Sequence, residues 1–405
     1  MEPKIRFKGY MFGWVSEAIG LYYNFKNGLN KSKEYFGFGT PIVNFTDVFN
    51  NRVLDYASLK GRVFVTKEEI ANYSVQKGDL FFTRTSETLE EIGYPSVMLS
   101  DSPQTVYSGF VLRGRAINND PLVDVFKSYV FFTTSFRKEM IRKSSMTTRA
   151  LTSGNRLKEM IFTYPKAEDE QFKIGNYFLT LDNKIQTTSK KLESLKKLKS
   201  ASLVAMFPQN GESTPKVRFK GFEGEWSTNN LGSIFAERIE SNENGEMLSV
   251  TMNNGIIRSS DNGRFDNSNS DKSKYKVVKI GDIAYNSMRM WQGASGVSQY
   301  EGIVSPAYTV VTPSVDVDTD FFGYLFKTDD VIRLFKLNSQ GLTSDNWNLK
   351  YPAFSRICVS YPESKEEQQA IATFFRSLDR KIALETARLE KLKQIKLACL
   401  DKMFV

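Results

Sequence analysis

The chain spells one line twice. "PKIRFKGYMFGW", from Pro3 to Trp14, returns as "PKVRFKGFEGEW", from Pro215 to Trp226, with seven of twelve positions identical. A longer pair follows without a gap at a constant offset of 197. It reads "YPKAEDEQFKIGNYFLTLDNKIQTTSKKLESLKKLKSASLVAMF" from Tyr164 and "YPESKEEQQAIATFFRSLDRKIALETARLEKLKQIKLACLDKMF" from Tyr361. Both copies carry "YP", "EQ" (Glu170-Gln171 and Glu367-Gln368), "LD.KI" and a closing "MF". Self-similarity on this scale demands a fold of two like halves, in the order module, frame, module, frame.

The frames are helical. Ile174, Phe178, Leu181, Ile185, Thr188, Leu192 and Leu195 alternate at spacings of four and three, and Ile371, Phe375, Leu378, Ile382, Glu385, Leu389 and Leu392 repeat the pattern. That is the heptad seam of a long helix. Each Tyr-Pro blocks helix upstream, and Glu170, Glu366 and Glu367 bring negative charge to the first turn, where the helix dipole favours it. From Ile174 to Met206 the rise is ~50 Å, and a helix of that length cannot bury a seam alone. Its natural partner is the other copy, in an antiparallel coiled coil with Lys190, Lys191, Lys196, Lys197 and Lys199 on the solvent faces.

The contents of the modules resemble each other only faintly. "VQKGDLFFTRTS" from Val75 corresponds to "VKIGDIAYNSMR" from Val278, each an apolar strand entered through a Gly-Asp turn. The expected fold class is therefore α+β, with two similar mixed α/β modules joined and separated by two long helices in a pseudo-two-fold repeat. The boundaries fall at 1–163 (first module), 164–207 (central helix), 208–360 (second module) and 361–405 (C-terminal helix).

Charge and composition narrow the chemistry. Lys and Arg number 55 against 46 Asp and Glu, giving +9 and a pI near 9.2, a balance suited to a polyanion such as nucleic acid or an anionic membrane surface. Histidine is absent, which removes Ser-His-Asp and Cys-His catalysis, the common zinc sites and imidazole acid-base chemistry. No G-x-x-x-x-G-K-[ST] loop occurs, and scattered carboxylates leave only a magnesium site open. The two cysteines, Cys358 and Cys399, lie in apolar patterns and suit a reducing compartment. No signal-like start and no apolar run of ~20 residues is present, so a cytoplasmic, non-membrane protein is expected.

The doubled "EQ/LD.KI/MF" helix alternating with globular modules resembles the specificity (S) subunit of type I restriction-modification enzymes, over essentially the whole chain. The resemblance implies that the modules are target recognition domains for double-stranded DNA, each reading one half of a split asymmetric target. It implies that the helices set the gap and dock modification (methyltransferase) subunits, two in number. It also implies that this chain is non-catalytic and carries no cofactor. Adenine-N6 methylation with S-adenosylmethionine, and ATP- and magnesium-dependent translocation and cleavage, would then belong to partner modification and restriction subunits. The absence of an N/D-P-P-Y/F motif from the sequence agrees.

A DNA reader needs cations for phosphates and forked or amide side chains for base edges. Such residues follow the two Gly-Asp strands: Thr83, Arg84 and Ser86 in the first module, and Ser287, Arg289, Trp291 and Gln292 in the second, with Met288 and Met290 read as packing. A second pair of loops precedes each Tyr-Pro and shares the spelling "LTS.N". It offers Arg149, Asn155 and Arg156 in the first module and Asn346, Asn348 and Lys350 in the second. For each, a surface arginine or a capped turn is the plainer reading. Asn44, Thr46, Thr251, Asn253 and Asn254 are weaker candidates, and Ser259–Lys274 has the composition of a flexible loop. Two other classes stay open on sequence: a self-contained metal-dependent nuclease, and a coiled-coil adaptor without DNA.

Overall fold

In the computed structural model, which describes residues 2–209, 211–252, 254–262, 271–342 and 346–405, each Gly-Asp turn opens the central strand of a sheet. The chain divides into two compact units, residues 1–189 with 387–405 and residues 190–386. Each unit contains one module and a stretch of both long helices, which run from Glu168 to Ala205 and from Lys365 to Met403.

In the first unit the main sheet has the order Tyr23–Asn27, Val111–Ala116, Leu80–Thr83, Pro95–Met98, Val53–Leu54, antiparallel except for the last pair. In the second the order is Phe235–Glu237, Tyr308–Pro313, Ile283–Asn286, Ser295–Val297, antiparallel throughout. The first four strands thus follow one plan although their sequences barely match. A buried strand asks only for apolar bulk, so Leu80-Phe81-Phe82 and Ile283-Ala284-Tyr285, all fully buried, serve alike.

The Gly-Asp turns are built from the same parts. Gly78 and Gly281 take φ of 83° and 88°, a region that a Cβ disfavours. Asp79 accepts from the Gln76 amide at 2.8 Å and from Arg115 at 2.7 and 2.6 Å. Asp282 accepts from the Lys279 amide at 2.8 Å and from Arg238 at 2.7 and 2.9 Å. The two arginines sit at different places in their modules, so the same turn is held by independent solutions.

The repeated opening line locks each module to the helices. Arg6 grips Glu170 through two parallel bonds of 2.7 and 2.8 Å, and Arg218 grips Glu367 at 2.7 and 2.7 Å. Both carboxylates are buried; in each pair the carboxylate holds the arginine above its ordinary pKa. The glutamates placed by sequence on the helix dipole therefore serve mainly as clamp acceptors. Their neighbours are buried too. Gln171 donates to the carbonyls of Pro121 and Pro165 and accepts from the Val123 amide; Gln368 donates to Pro362 and accepts from Asp318. Trp14 packs edge-on against Phe404 with ring centres 6.0 Å apart, as Trp226 does against Phe207 at 6.0 Å.

Within each unit the helix segments run antiparallel. In the first, Tyr177 meets Cys399 at 3.3 Å and Asp182 meets Lys396 at 2.5 Å; in the second, Lys191 meets Glu385 and Lys199 meets Asp379, both at 2.5 Å. The "LD" aspartates also accept the hydroxyls of Tyr129 and Tyr324, each at 2.9 Å, and each tyrosine is pushed up by burial and by its aspartate. The seam is inward as expected, with Ile174, Phe178, Ile371 and Phe375 at most 2% exposed. Lys190, Lys191, Lys196 and Lys197 are exposed as expected, and Lys199 is half-buried. Lys191 and Lys199 also pair across the seam, because a long side chain beside the contact can reach an acid on the facing helix, and Lys197 pairs with Glu193 one turn away.

Candidate nucleic-acid interface

Each module builds a cleft where its central strand ends. In the first unit the strand Leu80–Thr83 runs on into Thr85–Ser86, which pairs antiparallel with Ala150–Leu151. That short ladder, with the Thr152 amide on the Arg84 carbonyl at 3.1 Å, joins the two loops that sequence proposed separately. A cleft of about 220 Å³ opens there between Thr85, Ser86, Glu87, Phe110 and Arg149, walled by Phe45 and Phe49.

In the second unit the Leu349 amide donates to the Ser287 carbonyl at 2.8 Å, and Trp291 meets Trp347 edge-on with ring centres 5.2 Å apart. Here too the two proposed loops come together. The cleft, about 390 Å³, is lined by Ser287, Met288, Asn348, Lys350, Pro306 and the ion pair Lys276–Glu237, whose atoms lie 3.2 Å apart.

The proposed residues separate into braces and free groups. Thr83 is fully buried and its hydroxyl accepts from the Tyr94 amide at 2.9 Å, so it ends a strand and presents nothing to a ligand. Ser86 is buried and accepts from the Thr88 amide, while Ser287 is buried and shares a proton with Thr309 at 2.8 Å. Arg156 braces the Ser145 hydroxyl and the Leu151 carbonyl at 2.9 and 3.3 Å. Thr83, Ser86 and Ser287 turn inward because the strand plan extends one or two residues further than the Gly-Asp pattern shows, while Arg156 is half-buried on the short helix Gly154–Lys158.

Exposed groups are Arg149, 3.1 Å from the equally exposed Glu87, together with Asn155, Arg289, Asn346 and Lys350. The side chains of Arg289 and Lys350 have no hydrogen bond or ion pair among the described residues. Arg84 is half-buried, reaching the Gly109 carbonyl at 3.4 Å, and Gln292 is half-buried. Trp291 donates its indole N–H to the Met288 carbonyl at 3.1 Å. Asn348 is half-buried, with its Oδ1 shielded and unbonded among the described residues. Met290 packs as expected, but Met288 is exposed and lines the cleft.

Asn44 caps the helix Phe45–Asn50, and Thr251 closes a turn through its bond to Gly255; Asn253, residues 263–270 of the polar stretch, and 343–345 of "LTS.N" lie outside the described residues. Sequence reasoning missed the aromatic wall of Phe45, Phe49 and Phe110. The i, i+4 pair Phe45 and Phe49 was its one local signal, since Phe110 arrives from a distant turn. Among the described residues no three acidic or cysteine side chains gather to hold a metal, and no helix is long and apolar enough to cross a membrane.

This geometry meets its relatives in the second half of the chain, where residues 224–394 match the type I restriction modification DNA specificity domain. Specificity subunits are also what the chain resembles among curated proteins. The MjaIX type I specificity subunit of Methanocaldococcus jannaschii is 25% identical over 245 residues, 56% of this chain and 51% of that one. The HindI type I specificity subunit of Haemophilus influenzae is 26% identical over 136 residues, 32% of this chain and 29% of that one. The matches thus span about half, or less, of these relatives. The crystal structure of the type I restriction-modification S subunit from M. genitalium superposes with a TM-score of 0.65 over 100% of this chain and 99% of that one, at 16% identity. The fold is that of a specificity subunit, α+β with long packed helices.

Proposed function

We propose that this chain is the sequence-reading subunit of a type I restriction-modification enzyme, in which each unit reads one half of a split, asymmetric duplex target. The observation that carries the reading is the twofold construction of one device. In both modules two loops distant in sequence converge where the Gly-Asp strand ends, leaving an arginine and amide or lysine groups exposed: Arg149 and Asn155 in one, Arg289, Asn346 and Lys350 in the other. Arginine recognises guanine and asparagine recognises adenine through paired hydrogen bonds in the major groove, while lysine serves phosphates. The chain's charge of +9 favours the same partner.

On this reading the long helices set the gap between half-sites and dock two modification subunits. Adenine methylation with S-adenosylmethionine, and ATP- and magnesium-dependent cleavage, reside in modification and restriction subunits, and the complex works in the cytoplasm. Selection from a random duplex library, by the chain co-expressed with its modification subunits, tests the proposal. A two-part motif with a fixed gap is expected, with affinity falling steeply as salt rises. Retention of duplexes without any shared sequence would refute it.

A further inference from the structure

In each module a half-buried cation that meets no acid among the described residues holds the turn before the strand next to the central one. Lys327 lies between the helices Thr319–Leu325 and Asp329–Asn338, and its ammonium donates to the carbonyls of Gly293, of Ser295 at 2.8 Å and of Met252 at 3.4 Å. Arg137, on the helix Thr134–Lys143, donates to the carbonyls of Gly93 at 2.9 Å and Glu90 at 2.8 Å and lies over the Tyr94 ring at 4.8 Å. Neither has a carboxylate partner among the described residues. Burial pushes Lys327 down to about 8, helped by Lys199, and Arg137 down to about 10. A charge drawn half out of water without a counter-ion is costly, so its presence at both of these turns calls for a use.

The two cations hold the same point of the fold. Gly93 and Gly293 both adopt positive φ, 65° and 79°, just before Pro95–Met98 and Ser295–Val297, strands of equal place in the two sheets. Each ends the loop that leaves the central strand. The near end of that loop is pinned by strand pairing, and at the far end the amides of Thr83 and Asn286 donate to Tyr94 and Ala294. Arg137 and Lys327 approach the glycine turn from different positions in their modules, one on a helix and one before a helix, as independent solutions to one need.

We propose that Arg137 and Lys327 are positioning residues for DNA reading: each clamps the glycine turn that ends its module's loop and so fixes the loop whose Glu87 meets Arg149 in one module and which carries Arg289, Trp291 and Gln292 in the other. Lys327 also ties Met252, beside Thr251, to the end of the loop that carries Arg289. Base contacts tolerate little displacement, so a loosened clamp weakens the reading of one half-site while phosphate binding persists.

The inference rests on the DNA-reading proposal, and one experiment separates the two. Random-library selection is repeated with Lys327→Met, Arg137→Met, and the conservative Lys327→Arg and Arg137→Lys. Each Met variant should lose enrichment of one half of the motif by about tenfold, a different half for each, keeping the other half within about twofold, and the conservative variants should restore it. A wild-type chain that retains no motif refutes the DNA reading itself. A wild-type motif whose two halves survive both Met substitutions, or fall together in either, overturns this inference alone. Should a Met variant not fold, Lys327→Gln and Arg137→Gln are read in the same way, and failure of these to fold also overturns it, since the cations would then serve the core.

Discussion

Replacing Arg218 by Met would strip the buried Glu367 carboxylate of both its charge-assisted bonds. The two bonds to Glu367, each 2.7 Å, are charge-assisted, and the Glu367 side chain is 1% exposed. Methionine keeps the aliphatic packing of the stem but offers no donor. Breaking a buried ion pair from one side costs about 3–5 kcal/mol, because the remaining charge is stranded, whereas replacing both partners by apolar groups is often nearly neutral. At 1.36 kcal/mol per decade, the lower figure is about 150-fold in the equilibrium for opening the second unit. Native-state hydrogen exchange followed by mass spectrometry reads this directly at the amides after Lys365. Arg218→Met should raise exchange there by at least about two decades, and the double variant Arg218→Met, Glu367→Met should recover most of the loss. Arg6→Met should do the same in the first unit through Glu170. A single substitution costing under about 1 kcal/mol, or a double variant as damaged as the single, would show that the repeated arginine is a surface contact and not a clamp.

Further outcomes follow from other sites. Arg289→Ala should relax one half of the target by ~1–3 kcal/mol of discrimination in competition binding and leave the other half intact; equal weakening on specific and random duplex would make it a phosphate contact. Asp379→Asn weakens the acceptor for both Tyr324 and Lys199 and should cost about 1–2 kcal/mol in thermal or denaturant unfolding of the second unit; no change would deny the aspartate its bridging role. Lys327 titrates near 8 in the folded chain against an ordinary 10.5, so the folded state sheds its proton first as pH rises. The wild type should therefore gain stability relative to Lys327→Met between pH 8 and about 10.5, and a flat difference across that window would contradict the burial of its charge.

Much of the fold was legible because it is written twice. The heptad seam, the two long helices and the Gly-Asp turns all follow from short-range patterns that physics reads locally: apolar spacing, and a glycine with an acid behind it. Partners across space were not legible. Nothing in "PKIRFKGY" says that Arg6 clamps Glu170, or that Lys191 and Lys199 turn toward the facing helix, since those contacts depend on register between distant segments. The candidate interface divides in the same way. Arg289 and Lys350 are exposed, as polar residues in loop patterns are expected to be, while Thr83, Ser86 and Ser287 are buried, because in sequence a hydroxyl looks alike whether it ends a strand or faces a ligand. Phe110 and Pro306 were missed because they join the clefts only through tertiary packing.

The central claim is that two like units each read half of one target, and genome-wide mapping of adenine methylation tests it most directly. Cells carrying the chain with its modification subunits should show one motif of two short specified blocks separated by a fixed unspecified gap, and cells lacking only this chain should show none of it. A continuous motif, or a split motif that persists without the chain, would contradict the account.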